Sequence, residues 1–351
     1  MNFKGLTVLT NMPSPYQVDL FNVLAGELDI KVVYVKKTEP DRKWNYEKYI
    51  KHDHVFLKGP AFKRLVELEK HLKEDRLFII SGYNLPEFLY SMVYLSGRKK
   101  TWLFWGEKIR IKKLWLKKFT ITQLLKNARA ILGIGRLAAR LYYEITNVPT
   151  FVFPYHVDTS RFNKKSTYCF NNRINFLYSG QLIQRKGIFD ILKAFEMIRK
   201  DYRDRVFLHI VGDGPLMQTV KNRISDYSND VQLYGFVSYD ELPEIYAKGD
   251  VFLFPSLYDG WGVALAEGMA ARMAPISTFT TGAATDLILH GYNGFIVPPQ
   301  NPILLADYMK QLIDEPEKIE KIGDRASEYV REHNDIQKGA QKLIHIISMI
   351  K

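Results

Sequence analysis

The sequence predicts an α/β fold of two doubly wound, Rossmann-like domains, each a parallel sheet with helices on both faces. Three observations carry this expectation. Short apolar runs alternate with helix-period segments along the whole chain, 351 residues exceed what a single core ordinarily holds, and a polar, aperiodic stretch over 163–173 separates two such series.

In the first series the apolar runs Leu6 to Thr10, Ile30 to Val35, Leu77 to Ser81, Trp102 to Trp105 and Ala130 to Ile134 read as strands. The second repeats the rhythm with Ile174 to Ser179, Val206 to Val211, Val231 to Tyr234, Val251 to Phe254, Ala274 to Ser277 and Gly294 to Val297. Leu343, Ile344, Ile346, Ile347 and Ile350 recur at helical spacing near the end of the chain and predict a closing amphipathic helix. The expected division is therefore 1–165, 166–334 and a terminal helix over 335–351 that packs back on the first domain. In open sheets of this type ligands bind at the carboxyl ends of the strands.

Composition narrows the setting. A hydrophobic content of 46% with 13% aromatics indicates a folded chain rather than a disordered one. The single cysteine, Cys169, cannot form an internal disulfide, no signal-peptide pattern precedes Leu6, and no apolar run approaches the ~18 residues of a spanning helix. A cytoplasmic protein is expected. The net charge of +12 concentrates between Arg98 and Arg129, where Lys112, Lys113, Lys117 and Lys118 lie among eleven basic residues with Glu107 the only acid. Trp102, Trp105, Trp115 and Phe119 interleave with them. Cations with interfacial aromatics suit an anionic membrane surface, so Lys112, Lys113, Trp115, Lys117 and Lys118 are the expected contacts of a peripheral protein on the inner face of the cell membrane. A solvated basic helix face is the competing reading. Nucleic acid ranks last because no recognised binding motif accompanies the charge.

The chemistry concentrates in two strand-to-helix turns. Residues 251–268 run from an apolar strand through Asp259, Gly260, Trp261, Gly262 and Val263 into a helix carrying Glu267, so two carboxylates stand eight positions apart. Amides at a helix start lack intrahelical partners and attract anions, glycines let a ligand approach the backbone, and carboxylates accept hydrogen bonds from sugar hydroxyls. A nucleotide sugar fits that set. The second turn runs from Gly180 and Gln181 to Arg185, Lys186 and Gly187 after another strand; two cations at a helix N-terminus suit a diphosphate. Gly212-Asp213-Gly214-Pro215 reads as a turn, since the third glycine of a dinucleotide fingerprint is missing. Gly235, Phe236 and Val237 leave a strand where backbone groups can read a base edge, or form an ordinary strand exit. His52-Asp53-His54 reads as surface residues of a Lys-rich loop, His209 as a core histidine, and no Asp-x-Asp pair is present to hold a divalent cation. Metal-independent chemistry without a cofactor is expected.

Gly180 to Gly187, Gly212 to Pro215, Gly235 to Val237 and Pro255 to Glu267, in that order and spacing, resemble family 4 glycosyltransferases (glycosyltransferase group 1) of the GT-B fold. Asn11 to Tyr16, Trp105-Gly106-Glu107 and Pro154 to Asp158 are similar, more loosely, to landmarks of relatives that build bacterial surface glycans. The resemblance implies two domains facing a central cleft, with the donor on the second and the acceptor on the first. It implies retaining transfer of a hexose-like sugar from a nucleotide diphosphate to a glycan or polyprenyl-diphosphate-linked acceptor, in polysaccharide or lipopolysaccharide synthesis. Glu267 falls where the family binds the ribose, Asp259 where an acid lies near the transferred sugar, and Lys186 where a lysine binds phosphate, with the amides of Gly262 and Val263 on the distal phosphate.

The chain departs from that pattern in the loop after the first strand, 11–16, which lacks the paired glycines of many relatives, and at two donor positions. Gln181 stands where an arginine is usual, leaving Arg185 to supply the charge, and Asp259 replaces the usual glutamate, shortening the reach by about 1.5 Å. Glu107 is a candidate for orienting or deprotonating the acceptor, or a structural carboxylate beside the basic stretch. A non-catalytic nucleotide-binding GT-B subunit that supports a partner enzyme is the alternative; a phosphorylase and a nicotinamide oxidoreductase are weaker ones.

Overall fold

The computed structural model describes residues 4–38, 46–108, 115–162 and 173–350, with only the backbone of 115–118. The chain divides into two units, the first made of Met1–His156 and Ile336–Lys351, the second of Val157–Asp335. The polar stretch expected as a linker lies outside the described residues except for Arg173, which stacks 4.6 Å over Phe207 in the second unit.

In the first unit, the described residues form seven strands: β1 (Leu6–Thr10), β2 (Ile30–Tyr34), β3 (Asp53–Phe56), β4 (Leu77–Ile80), β5 (Trp102–Gly106), β6 (Ala130–Gly133) and β7 (Thr150–Val152). Their order is β3-β2-β1-β4-β5-β6-β7, and all pairs are parallel. β1, β4, β5 and β6 are buried along their whole length, which is why they read as unbroken apolar runs rather than as alternating ones. Phe88, Met92 and Leu95 from helix Pro86–Gly97 and Leu68 and Leu72 from Ala61–Leu72 pack with Phe78, Ile80 and Phe104 on one face. Full burial of each such side chain contributes about 1.5–3 kcal/mol. Helix Ile336–Ile350 packs against Pro15–Leu24, with Leu343, Ile346 and Ile347 turned inward.

Two strands of this sheet escape the apolar-run criterion, and both are edge strands. His52-Asp53-His54, expected in an exposed loop, instead leads into β3. His52 is buried, with Nδ1 2.8 Å from Asn22 Oδ1 and Nε2 3.0 Å from the Tyr34 hydroxyl. β3 is only half buried and β7 has three residues, so neither shows a continuous hydrophobic run.

The second unit has six parallel strands among its described residues: β8 (Ile174–Ser179), β9 (Val206–Val211), β10 (Val231–Gly235), β11 (Val251–Phe254), β12 (Ala274–Thr278) and β13 (Phe295–Val297). They run in the order β10-β9-β8-β11-β12-β13, so the winding reverses between β8 and β11. Helix Ile188–Tyr202 buries Ile188, Ile191, Leu192, Phe195 and Ile198 against Phe176, Leu208 and Ile210, at the helical spacing the sequence displays. The loops leaving β8 and β11 flank the reversal, the position at which doubly wound sheets bind ligands.

Candidate functional site

The loop after β8 turns into its helix through Gln184–Lys186, a single turn of 3-10 helix, and Gly187. Gly187 has φ +74°, and a Cβ there would run into the carbonyl oxygen of Pro255 at the end of β11. Glycine is required at this position both for the backbone angle and for the close approach of the two loops. The loops are then joined by a hydrogen bond from Leu257 N to Arg185 O of 2.8 Å.

Across that junction Lys186 donates to Asp259, residues 73 apart in sequence, with both side chains almost buried at 13% and 12% exposure. The lysine ammonium also lies 5.0 Å over the Phe254 ring. Arg185 Nη1 is 3.9 Å from the same Asp259 oxygen and donates to Tyr258 O at 3.2 Å, while nearly half of its side chain stays exposed. The Asp259 backbone is fixed by its amide to Thr280 O, 3.2 Å, and by its carbonyl, which accepts from Gly282 N at 3.3 Å. Hydroxyls from the end of β12 brace the rest of the loop: Ser277 donates to Phe254 O and Thr280 to Ser256 O, both at 2.8 Å.

Gly262, with φ +96°, caps helix Val263–Ala270. No side chain occupies the cap; Leu265 N donates to Gly262 O at 3.0 Å, and amides at the start of a helix attract anions. Trp261 is buried, its indole Nε1 has no hydrogen-bond partner among the described residues, and its carbonyl accepts from Ala283 N at 2.7 Å, while Gly260 and Gly262 give the turn its open backbone. Glu267 lies one turn into the helix, 7% exposed, and accepts from the Tyr246 hydroxyl at 3.3 Å. Burial, then the neighbouring Glu267 charge, holds the Tyr246 hydroxyl well above the ordinary tyrosine range. Nothing in the motif spacing points to Tyr246; its only sequence signal is an aromatic residue in a short helix before β11.

The remaining expected donor residues line up along the same sheet edge. Gly180 N donates to Val211 O at 3.0 Å, and the Gln181 carbonyl accepts from the Tyr178 hydroxyl at 2.9 Å. Gly212 N donates to Gly235 O at 2.8 Å, which ties the turn after β9 to the exit of β10. Phe236 is 44% exposed next to Val237. His209 is buried in β9 between Tyr234 and Asn175, as a core histidine should be.

In the first unit Glu107 follows β5. Its carbonyl accepts from the Tyr142 hydroxyl at 2.6 Å and its Oε1 from the Tyr155 hydroxyl at 3.4 Å. Tyr155 packs on Tyr16 with ring centroids 4.5 Å apart, and burial with these two neighbours raises its hydroxyl well above the usual range. Of the expected membrane contacts, Lys112 and Lys113 lie outside the described residues, and Trp115, Lys117 and Lys118 are described by their backbone alone, in helix Trp115–Leu125. Among the described residues no helix is long and apolar enough to cross a membrane, and no three His, Cys, Asp or Glu side chains cluster as metal ligands do.

Residues 160–329 match the family model of glycosyl transferases group 1. The chain is 27% identical over 172 residues to an alpha-D-kanosaminyltransferase of Streptomyces kanamyceticus, covering 48% of this chain and 44% of that one. It is 27% identical over 259 residues to the capsular polysaccharide biosynthesis glycosyltransferase CapM of Staphylococcus aureus, covering 71% and 63%. These matches thus span from under half to just under two thirds of the relatives' length. The crystal structure of Anabaena Alr3699/HepE in complex with UDP superposes with a TM-score of 0.79 at 16% identity, covering 98% of this chain and all of that one. Two parallel sheets of this order, with that superposition, give the chain the GT-B fold, and its second unit is similar to glycosyl transferases group 1 over residues 160–329.

Proposed function

We propose that the protein transfers a sugar from a nucleotide diphosphate to a hydroxyl of a glycan or polyprenyl-diphosphate-linked acceptor, with retention at the anomeric carbon, in bacterial cell-surface polysaccharide synthesis. The observation that carries this reading is the meeting of Lys186, Arg185 and Asp259 at the point where the second sheet reverses, beside the uncapped helix that bears Glu267. A diphosphate there meets two cations and helix-terminal amides, and Glu267 with its Tyr246 partner takes the ribose hydroxyls. CapM, by its name, makes capsular polysaccharide, and the HepE crystal holds UDP; both support a donor of this chemical class.

In the proposed reaction the acceptor oxygen bonds to the anomeric carbon on the face from which the phosphate departs. The bond from that carbon to the phosphate oxygen breaks, and the hydroxyl proton passes to the departing phosphate. Lys186 and Arg185 stabilise the charge that develops on the diphosphate, so neither a protein nucleophile nor a metal is called on. Glu107, held by Tyr155, orients the acceptor hydroxyl.

Peripheral attachment to the cytoplasmic membrane face follows from the charge between Arg98 and Arg129, where each basic group near an anionic surface contributes about 1 kcal/mol. Charge reversal at Lys112, Lys113, Lys117 and Lys118 is expected to reduce sedimentation with anionic vesicles, and unchanged sedimentation would remove the proposed contact.

The test of the activity is a thermal-shift and hydrolysis screen of purified protein against UDP-, GDP-, TDP- and ADP-sugars without added metal. Stabilisation by one nucleotide with slow sugar release identifies the donor. Stabilisation without release, even with membrane lipid extract, favours a nucleotide-binding subunit that supports a partner enzyme, and no response to any nucleotide rejects the donor assignment.

A further inference from the structure

Resting on that reading of the donor site, we propose that Asp259 is a displaceable counter-ion. Asp259 is paired with Lys186, the donor diphosphate takes its place on the lysine, and the released carboxylate accepts a hydrogen bond from the donor's sugar.

The geometry supplies each part of this exchange. Lys186 and Asp259 are almost buried and paired to each other, and Arg185 leans on the same carboxylate oxygen from 3.9 Å, so one oxygen answers two cations. Both backbones are fixed independently of the pair. Lys186 N donates to Ile183 O at 3.0 Å, Leu257 N to Arg185 O at 2.8 Å and Asp259 N to Thr280 O at 3.2 Å. The ion pair is therefore broken by side-chain rotation alone, with no loop opening.

Electrostatics makes the exchange obligatory. A diphosphate on the Lys186 ammonium would lie beside the Asp259 carboxylate, and like charges in a site this poorly exposed repel strongly. The carboxylate must leave, and once desolvated it needs a new donor group; a sugar hydroxyl is one. A nucleoside diphosphate without a sugar displaces Asp259 and offers nothing in return. The site consequently discriminates against the spent nucleotide and in favour of the loaded one.

The experiment is calorimetric titration of UDP, GDP, TDP and ADP and their glucose or mannose conjugates into the full chain, for the wild type, Asp259→Asn, Lys186→Met and the double variant. Circular dichroism confirms that each is folded, and Asp259→Ala serves as a second charge-removing variant. Asp259→Asn is expected to bind the free nucleoside diphosphate at least about fivefold more tightly than the wild type, the low end of ordinary linkage between sites. The gain should disappear in the Lys186→Met background, and the preference for the sugar conjugate over the free diphosphate should shrink. Wild-type binding that Asp259→Asn and Asp259→Ala leave unchanged or weaken overturns the counter-ion exchange while preserving the donor site. Absence of binding of every nucleotide to every folded variant overturns the donor site itself, and the exchange with it.

Discussion

The Tyr246 hydroxyl donates to Oε2 of Glu267 at 3.3 Å, and both side chains are buried behind the mouth of the second sheet. The hydroxyl orients the buried carboxylate, which in the proposed donor site accepts hydrogen bonds from the ribose diol. Hydrogen bonds to charged groups contribute about 1.5–3 kcal/mol. Tyr246→Phe is therefore expected to raise the KM for the donor about tenfold or more with kcat little altered, whereas Glu267→Ala should abolish saturable donor binding. Equal losses of kcat and kcat/KM in Tyr246→Phe would place Tyr246 in the chemical step instead.

In the proposed reaction Lys186 carries the charge stabilisation of the departing diphosphate. Its replacement by alanine leaves Arg185 near Asp259 and keeps the Leu257 to Arg185 backbone bond, so the loops remain joined. A fall in kcat of about 100- to 1,000-fold is expected, the usual effect of deleting one preorganised electrostatic group. Single-turnover kinetics with an intact circular dichroism spectrum checks it, and turnover within a fewfold of wild type would exclude the lysine from the mechanism.

The strands of the second sheet and the glycine-rich, charged turns that follow them were legible in the sequence, because strands buried on both faces appear as apolar runs; their order in the sheet was not. β3 and β7 were not legible: an edge strand reading Asp-His-Val-Phe and a three-residue strand have no such run. The pairing of Lys186 with Asp259 was equally hidden. Both residues stand out by type, yet only the adjacency of β8 and β11 brings positions 73 apart into contact. Tyr246 was missed for the same reason, since its helix precedes β11 while its hydroxyl serves a residue of the helix that follows.

Gly187 joins the two loops through its backbone. A non-glycine residue in the left-handed region costs roughly 1–2 kcal/mol, and here the added methyl also meets the Pro255 carbonyl. Gly187→Ala is expected to lower the melting temperature by at least about 4 °C for a unit of this size and to weaken nucleotide binding, because the clash lies between the loops that carry Lys186 and Asp259. Paired thermal and binding measurements test both halves. A variant that melts normally would show that the loops part without cost.

Three buried histidines make stability depend on pH. Burial, aided by His54, depresses His52 to about 3; burial with nearby Lys342 depresses His156 to about 3; and burial with Lys248 and Arg173 depresses His209 to about 4. His209 Nδ1 lies 2.9 Å from the Tyr234 hydroxyl and Nε2 3.4 Å from Asn175 Oδ1. With folded values below the unfolded one near 6.5, the unfolded chain binds more protons between about pH 6.5 and 4. The stabilisation is complete above pH 6.5 and is lost as pH falls, with a slope of about 1.4 kcal/mol per pH unit for each histidine. His209 belongs to the second unit and the other two to the first. Urea unfolding between pH 7 and 4.5 should therefore show His209→Gln flattening the pH dependence of the second unit by about one proton and leaving that of the first unchanged. An unaltered slope would mean that His209 is protonated in the folded protein.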